Sequence, residues 1–571
     1  MELKETVAGS AEPDSPNTRP RGAWGFAGLV TVAPSLLWLA LLWLCSVPVL
    51  YEDEWTFVPF VVKLRAGALS FRDFWMAYAE HRLTLSRICF ALFFGHGLVD
   101  PRPVMLCSWF LATATSVVGV RYLVWPWVCN AGILLQTLAG LAFSAWMLSL
   151  VQFENQLWGL QVGFVGTLCC VILGAAMLAA EGLTFGARLL GLVFIAGLAT
   201  FTSGQGLLVW PAFGTGLALS ARRWATRASV AALFLAGFGA ALWLYQLDNS
   251  GQLSRSQSFG WVLSQPGLAL RSMLGLLGSP LSYVAGFGRL QLAPWLGLSL
   301  LGGFLLLAIW APRRDGANGS APFVVLGLYG CAYAVLVTLG RANNGYNDWF
   351  LTSRYTTSAL TLPLAVLGLG LWGRRSAADG HSLRAFHLTL AAAVVLALSN
   401  SFAAFRLARD ESALRTAAMH LLDYMSIFDP DVDGVQTGPF YALCPIDGNR
   451  VLKWGVVPAR QAGLIPAQRA VLPVERVQGW WRPEAGHHQV WYLAHRDRAE
   501  RLSGRLQPRP GFRPDVVLVR PVGEQHFLTF GLVEGDRWQV ILGQVMAGRL
   551  AAPVEVFALE TATGRLAQLT P

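Results

Sequence analysis

Long apolar runs recur along the first four hundred residues, near 24–50, 104–120, 124–150, 157–180, 187–203, 205–220, 228–246, 286–311, 322–339, 355–373 and 385–403. Each approaches or exceeds the ~20 apolar residues that cross a bilayer as a helix. Two further apolar stretches, 84–99 and 266–281, are short or interrupted and read as in-plane or re-entrant helices. Beyond residue 404 the pattern changes. A helical stretch from Phe405 to about Met425 continues out of the last run, and short alternating segments such as Val516-Val517-Leu518-Val519 and Phe527-Leu528-Thr529-Phe530 follow, broken by Gly and Pro. Period-two alternation between such breakers predicts strands. The expected architecture is mainly α: a polytopic helical membrane protein of about 11 spans plus in-plane helices, with a C-terminal mixed, β-rich extracytoplasmic domain. Its parts are a cytoplasmic tail (1–23), a membrane domain (24–403) whose first external loop is 51–100, and the C-terminal unit (404–571).

Basic residues set the orientation. Arg121, Arg222-Arg223 with Arg227, Arg313-Arg314 and Arg374-Arg375 with Arg384 fall between apolar runs, and such clusters stay on the cytoplasmic side. With the N-terminus inside, Arg121 is cytoplasmic when the 84–99 helix does not cross. The external side then receives Glu52–Arg82, Gln152–Trp158, Ser203–Gly206, 247–265, Arg341–Arg354 and the C-terminal unit. The unusual polar residues thus gather on one face.

Composition changes this picture little. Of 571 residues, 54% are hydrophobic and 13% charged, with mean hydropathy +0.48, which excludes an ordinary soluble globule. The net charge of +10 resides in loop clusters, and the 23 tryptophans suit interfacial belts, so nucleic acid is not the expected partner. Seven of the eight cysteines lie in apolar segments and Cys444 in the polar C-terminal part, implying no disulfide framework.

Chemistry is expected where acid, imidazole and guanidinium meet at one membrane face. The run Tyr51-Glu52-Asp53-Glu54-Trp55 follows the first span at once. A carboxylate there could serve as general base toward an acceptor hydroxyl, or the acids could ligate a divalent cation. The alternative is a solvated interfacial loop. Glu80-His81-Arg82, with Arg87 beyond, lies near lipid-phosphate depth, and the planar guanidinium fork suits phosphate. The bland reading is snorkelling arginine. Arg341 and Arg354-Tyr355 bracket a loop on the face that should be poor in cations, pointing to an anionic ligand or to pairing with Asp348 or Glu154. Glu154, Asn155 and Gln156 could bind sugar hydroxyls with Trp158 stacking on a ring, against a helix-end polar network at equal odds. The match Gly368–Gly373 to a dinucleotide fingerprint lies inside an apolar run. Asp429–Gly434 lacks the closing acid of a calcium loop, because Phe440 stands at that position.

The order of these features resembles the GT-C superfamily of integral-membrane glycosyltransferases, among them lipid A aminoarabinose transferase and the protein O-mannosyltransferases. Asp53-Glu54-Trp55 is similar to their acidic motif after the first span, Leu83–Gly97 to their short in-plane helix, and Arg354-Tyr355 before a span containing Pro363 to a late Arg-Tyr motif. Glu80-His81-Arg82 departs from the aminoarabinose transferase pattern, which has a charged residue followed by paired prolines. The resemblance covers roughly residues 24–403. It implies an inverting glycosyltransferase of the bacterial inner membrane. The donor would be a polyprenyl-phosphate sugar, and the acceptor a periplasmic glycan, a glycolipid such as lipopolysaccharide, or a protein such as a type IV pilin. Asp53 would be the base, with Glu54 or Glu80 as alternates. His81, Arg82, Arg87, Arg341 and Arg354 would hold the donor phosphate, and Trp55, Glu154, Asn155, Trp158 and Tyr355 the sugar or acceptor. The competing classes are an oligosaccharide ligase or polymerase using a lipid diphosphate donor, and a non-enzymatic sugar-lipid flippase.

Overall fold

A computed structural model describes residues 21–78, 81–221, 223–247, 255–315, 319–341, 349–374, 380–424, 427–428, 443, 455–472, 474–485, 500–507, 510–542 and 553–570. Glu80, Asp348, Asp429–Gly434 and Cys444 lie outside the described residues.

Nine helices among the described residues are long and apolar enough to cross a membrane: Gly28–Cys45, Arg102–Val128, Ile133–Gln156, Gly159–Ala179, Trp224–Gln246, Arg289–Trp310, Ala321–Arg341, Ser353–Arg374 and Arg384–Leu422. This is the helical organisation of a multi-pass membrane protein. The remaining two apolar runs expected to span form the shorter helices Phe185–Thr200 and Val209–Ser220. A tight 3-10 turn, Gly204–Leu208, separates them. It packs so closely that a Cβ on Gly206 would stand 1.8 Å from the Ala199 carbonyl oxygen. At 1.5 Å per residue neither helix covers the ~30 Å hydrocarbon layer alone.

The segment after the first helix is neither strand nor span. Glu52–Phe57 forms a 3-10 turn, Val58–Arg65 a short helix, and Thr84–Phe93 a ten-residue helix too short to cross. That last helix is two-faced, with Arg87, Cys89 and Phe90 buried and Ile88, Leu92 and Phe93 exposed.

The final helix, Gly380–Leu422, has 43 residues and is about 65 Å long, twice what the hydrocarbon layer needs. Its second half carries the chain into the C-terminal unit. There seven strands close into a barrel in the order β1-β2-β5-β4-β3-β6-β7, with β1 Glu475–Ala485, β2 Glu500–Leu506, β3 Val516–Pro521, β4 Thr529–Glu534, β5 Arg537–Leu542, β6 Val554–Glu560 and β7 Arg565–Thr570. Neighbours are antiparallel except β1 and β7, whose parallel pairing closes the ring. The alternation read at 516–519 is a strand buried on both faces. Val517 and Val519 join the barrel core, while Val516 and Leu518 face a second core.

That second core positions the site. It joins Tyr51, Trp55 and Phe57 of the first polar segment to Ala418, Leu421 and Leu443 of the C-terminal part and to strands β3 and β6. The membrane helices pack around a separate core. Gly455 allows this closure, since a Cβ there would meet the Trp55 ring at 2.6 Å.

Candidate functional site

Three consecutive acids occupy three different environments. Glu54 is a fastener. Its Oε2 accepts from the Tyr51 N–H at 2.8 Å and its Oε1 from the Leu160 N–H at 2.8 Å, tying the 3-10 turn to the start of the fourth long helix. Burial pushes its carboxyl up to about 7, only partly offset by those backbone donors and by Arg415. Glu52 is buried and forms an ion pair with Arg354 (Nη1 to Oε1, 3.2 Å). It holds φ at +50°, the sole positive value at a non-glycine among the described residues, a conformation rare for a residue with a long side chain. Its N–H is held by the Leu443 carbonyl at 2.6 Å, so the C-terminal part helps fix this turn. Burial also pushes the Glu52 carboxyl up, to about 7; Arg354 and Arg415 pull it down, and Asp53 and Glu154 push it further. Asp53, between them, is half-buried. Its backbone carbonyl accepts from the Thr56 hydroxyl, and its carboxylate has no partner among the described residues.

Arg354 is the hinge of the arrangement. The segment Ser353–Tyr355 is a 3-10 turn stitched to the end of the third long helix. The Arg354 N–H donates to Glu154 Oε2 at 2.9 Å, the Glu154 N–H donates to Ser353 Oγ at 3.2 Å, and Asn155 Nδ2 donates to the Arg354 carbonyl at 2.8 Å and to Thr357 Oγ1 at 2.6 Å. The Arg354 side chain remains 23% exposed, and its guanidinium lies 5.6 Å from the Tyr355 ring, which itself packs edge-on against Trp349. Trp158 is buried edge-on against Tyr51 at 5.2 Å, so it serves the wall rather than an open stacking face. Trp55 is fully buried and does likewise.

Two charged residues of this cluster escaped sequence reasoning. Glu411 and Arg415 sit four apart on the last helix, buried and ion-paired. Arg415 also donates to the Leu157 carbonyl at 3.0 Å and lies 3.3 Å above the Tyr51 ring. Their i, i+4 spacing was visible, but the same spacing on a helix leaving a membrane usually denotes a solvated pair. The cluster has unspent polarity. Glu52 Oε2, Trp55 Nε1, Asn155 Oδ1, Gln156 Oε1, Trp158 Nε1 and Glu411 Oε2 are buried without a hydrogen-bond partner among the described residues. Buried polar atoms are normally satisfied, and each exception needs a reason.

The second expected phosphate group is built otherwise. Arg82 is fully buried, donating from Nη1 to the Trp75 carbonyl at 2.7 Å and from Nη2 to the carbonyls of Leu244 (2.6 Å) and Leu247, with Trp75 and Tyr245 over its guanidinium. Arg87 donates to the Phe74 and Met76 carbonyls. Burial, with the like charge of Arg82, lowers its guanidinium to about 10. His81 Nδ1 accepts from the Gly204 N–H at 3.0 Å and its ring meets Phe164. These three residues pin loops together, and both arginines face inward on carbonyls. Arg341 ends the helix Ala321–Arg341, and the loop that follows it, like Glu80, lies outside the described residues. No group of three or more His, Cys, Asp or Glu among the described residues is arranged to hold a metal ion.

No family model matches the chain, and no curated protein matches it.

Proposed function

We propose that the chain is an inverting glycosyltransferase that uses a polyprenyl-phosphate sugar and acts at the external face of the bacterial inner membrane. One observation carries the reading. A half-buried carboxylate, Asp53, without a partner among the described residues, and Arg354, whose side chain is partly exposed, flank the same buried Glu52 at one end of the long helices.

In this reading Asp53 removes the proton of an acceptor hydroxyl. The oxygen attacks the anomeric carbon in line, forming the new C–O bond as the bond to the lipid phosphate breaks. Configuration inverts, and the electron pair leaves on the phosphate. Arg354 faces the charge that develops there; fixed cations at developing charge are usually the largest single contribution to such catalysis. Glu52 holds that guanidinium in place through the ion pair. Glu154 and Asn155 set the backbone of the Arg354 turn. Their neighbours' unspent polar atoms suit a polyhydroxylated ligand or ordered water. Arg82, Arg87 and His81 are assigned to scaffolding, and Glu54 to the same role.

The test is a reconstituted assay with a radiolabelled polyprenyl-phosphate sugar. Release of polyprenyl phosphate that vanishes in Asp53→Asn supports transfer. Undiminished release in that variant removes Asp53 from the mechanism. Release of a lipid diphosphate from a lipid diphosphate donor would favour the ligase reading.

A further inference from the structure

A groove of about 670 Å³ lies apart from the acids, between the 3-10 turn Tyr283–Gly288 and the last helix. From the helix it takes Leu398, Ser399, Phe402, Ala403, Arg406 and Leu407. Those positions recur at intervals of three and four and so form one face. Two of the lining residues are arginines, and none is acidic. Arg289 is buried and committed inward, donating to Ser279, Ser282 and the Leu351 carbonyl and lying against Tyr283. Arg406 is exposed and sits 5.0 Å from the Phe402 ring. The carboxylate one turn on, Asp410, has Arg409 as its stronger partner. The rim is apolar and open, with Phe402 62% and Val284 50% exposed. An aqueous surface would not leave such a rim bare, whereas a bilayer would cover it. Along the helix the uncharged run 385–403 ends three residues before Arg406. The guanidinium therefore stands where acyl chains give way to headgroups, with apolar surface below it.

We infer that this groove is a binding site for an anionic phospholipid. Its phosphate lies against Arg406, and an acyl chain runs along Phe402 and Leu398. An exposed guanidinium supplies the charge-assisted hydrogen bonds a phosphate accepts. The back wall of the groove is shared with the first site. Tyr283 donates to the Val151 carbonyl at 2.8 Å, and Ser353 Oγ donates to that same oxygen at 2.8 Å; Arg289 holds Leu351, three residues before Arg354. Bound lipid thus braces the turn that carries Arg354 without entering the reaction. The inference rests on the groove and stands whether or not the transferase reading does.

The experiment is native mass spectrometry of the full chain from nanodiscs holding equal phosphatidylglycerol and phosphatidylcholine. The wild type should retain phosphatidylglycerol several-fold over phosphatidylcholine. Arg406→Gln should lose that preference, and Arg409→Gln should keep it. Folding of both variants is checked by unchanged melting in neutral lipid. Phe402→Ala should weaken retention of either lipid. Equal retention by wild type, or an Arg406→Gln preference matching wild type, overturns the site. Displacement of phosphatidylglycerol by equimolar polyprenyl phosphate, but not by added phosphatidylcholine, overturns the choice of occupant.

Discussion

Arg354 and Arg82 are both guanidinium groups packed beside the first polar segment, yet their surroundings share almost nothing. Arg354 pairs with a carboxylate, keeps a quarter of its side chain open, and stands in a cluster of three buried acids and a second arginine. Arg82 meets three backbone carbonyls and two aromatic faces and is closed off. The difference lies in what the cation was buried for. A guanidinium that satisfies carbonyls ends loops that would otherwise carry unpaired acceptors. A guanidinium balanced by acid and still partly open retains electrostatic reach toward a ligand. Residue type and depth at the membrane face would have grouped the two together; their partners separate them.

The largest effect should come from Asp53, whose carboxylate has no partner among the described residues. Asp53→Asn should lower turnover by about 10²- to 10⁴-fold, the usual contribution of a general base. The melting temperature in detergent should not move, because no hydrogen bond among the described residues is lost. A fall in both together would mean that Asp53 belongs with Glu54 as a fastener.

The next contrast sets Arg82→Leu against Arg354→Gln. Removing Arg82 strands three partly buried carbonyl oxygens, and bonds to a charged group are each worth about 1.5–3 kcal/mol, so melting should fall sharply and extraction yield with it. Breaking a buried ion pair commonly costs about 3–5 kcal/mol because one charge is left alone. Glu52, already pushed to about 7, can take a proton and relieve that cost. Arg354→Gln should therefore keep its fold far better while losing turnover. Equal destabilisation by the two variants would erase the distinction between the clusters.

How these regions could be read from sequence differed for physical reasons. Long helices were legible because crossing a bilayer demands a long apolar run, and the shortness of the helix in 84–99 was legible from its brief run and its Arg87 and His96. The two runs 187–203 and 205–220 read as spans although Gly204–Leu208 consumes part of their length, since a tight turn of Gly and Gln leaves hydropathy almost unchanged. Short strands at 516–519 and 527–530 were visible, but closure of the barrel by a parallel β1–β7 pair was not, because pairing partners nearly a hundred residues apart leave no local mark. The acids at 52–54 were conspicuous as a group. Which one would pair with Arg354, which would hold Leu160 and which would remain open depends on contacts 106 and 302 residues away. Glu411 and Arg415 were hidden for the same reason.

Stability against pH gives a finer probe of the acids. Burial raises the folded-state carboxyl of Glu54 to about 7 from its ordinary value of 4.5. The native state then binds the proton more tightly than the unfolded chain. Its contribution is fully present below about pH 4.5 and is lost as pH rises through 7, a difference on the order of 3 kcal/mol. Melting in detergent should fall between pH 4.5 and 7, and Glu54→Gln should flatten that slope while lowering melting overall, because an amide offers one acceptor where two N–H groups need satisfying. An unchanged slope would show that Glu54 is ionised throughout.

The smallest expected effect probes the other cluster from its edge. Asp73 exerts a favourable field on Arg87, but its own bonds go elsewhere. It caps the helix Phe71–Trp75 through the Ser70 N–H and hydroxyl and pairs with Lys63 at 2.7 Å. Those hydrogen bonds hold its carboxyl well below the usual range, the reverse of Glu54. Its contribution is therefore present above its unfolded value near ~4 and is lost as pH falls further. Asp73→Ala should cost about 1 kcal/mol, the typical worth of such a cap, since the Lys63 partner is half exposed and adds little. Melting of the wild type should thus rise on acidification from 7 toward 4.5 and turn down below 4, and Asp73→Ala should remove only the downturn. Loss of the rise as well would mean that the two clusters share one titrating network, and the contrast between Arg82 and Arg354 would then be one of degree.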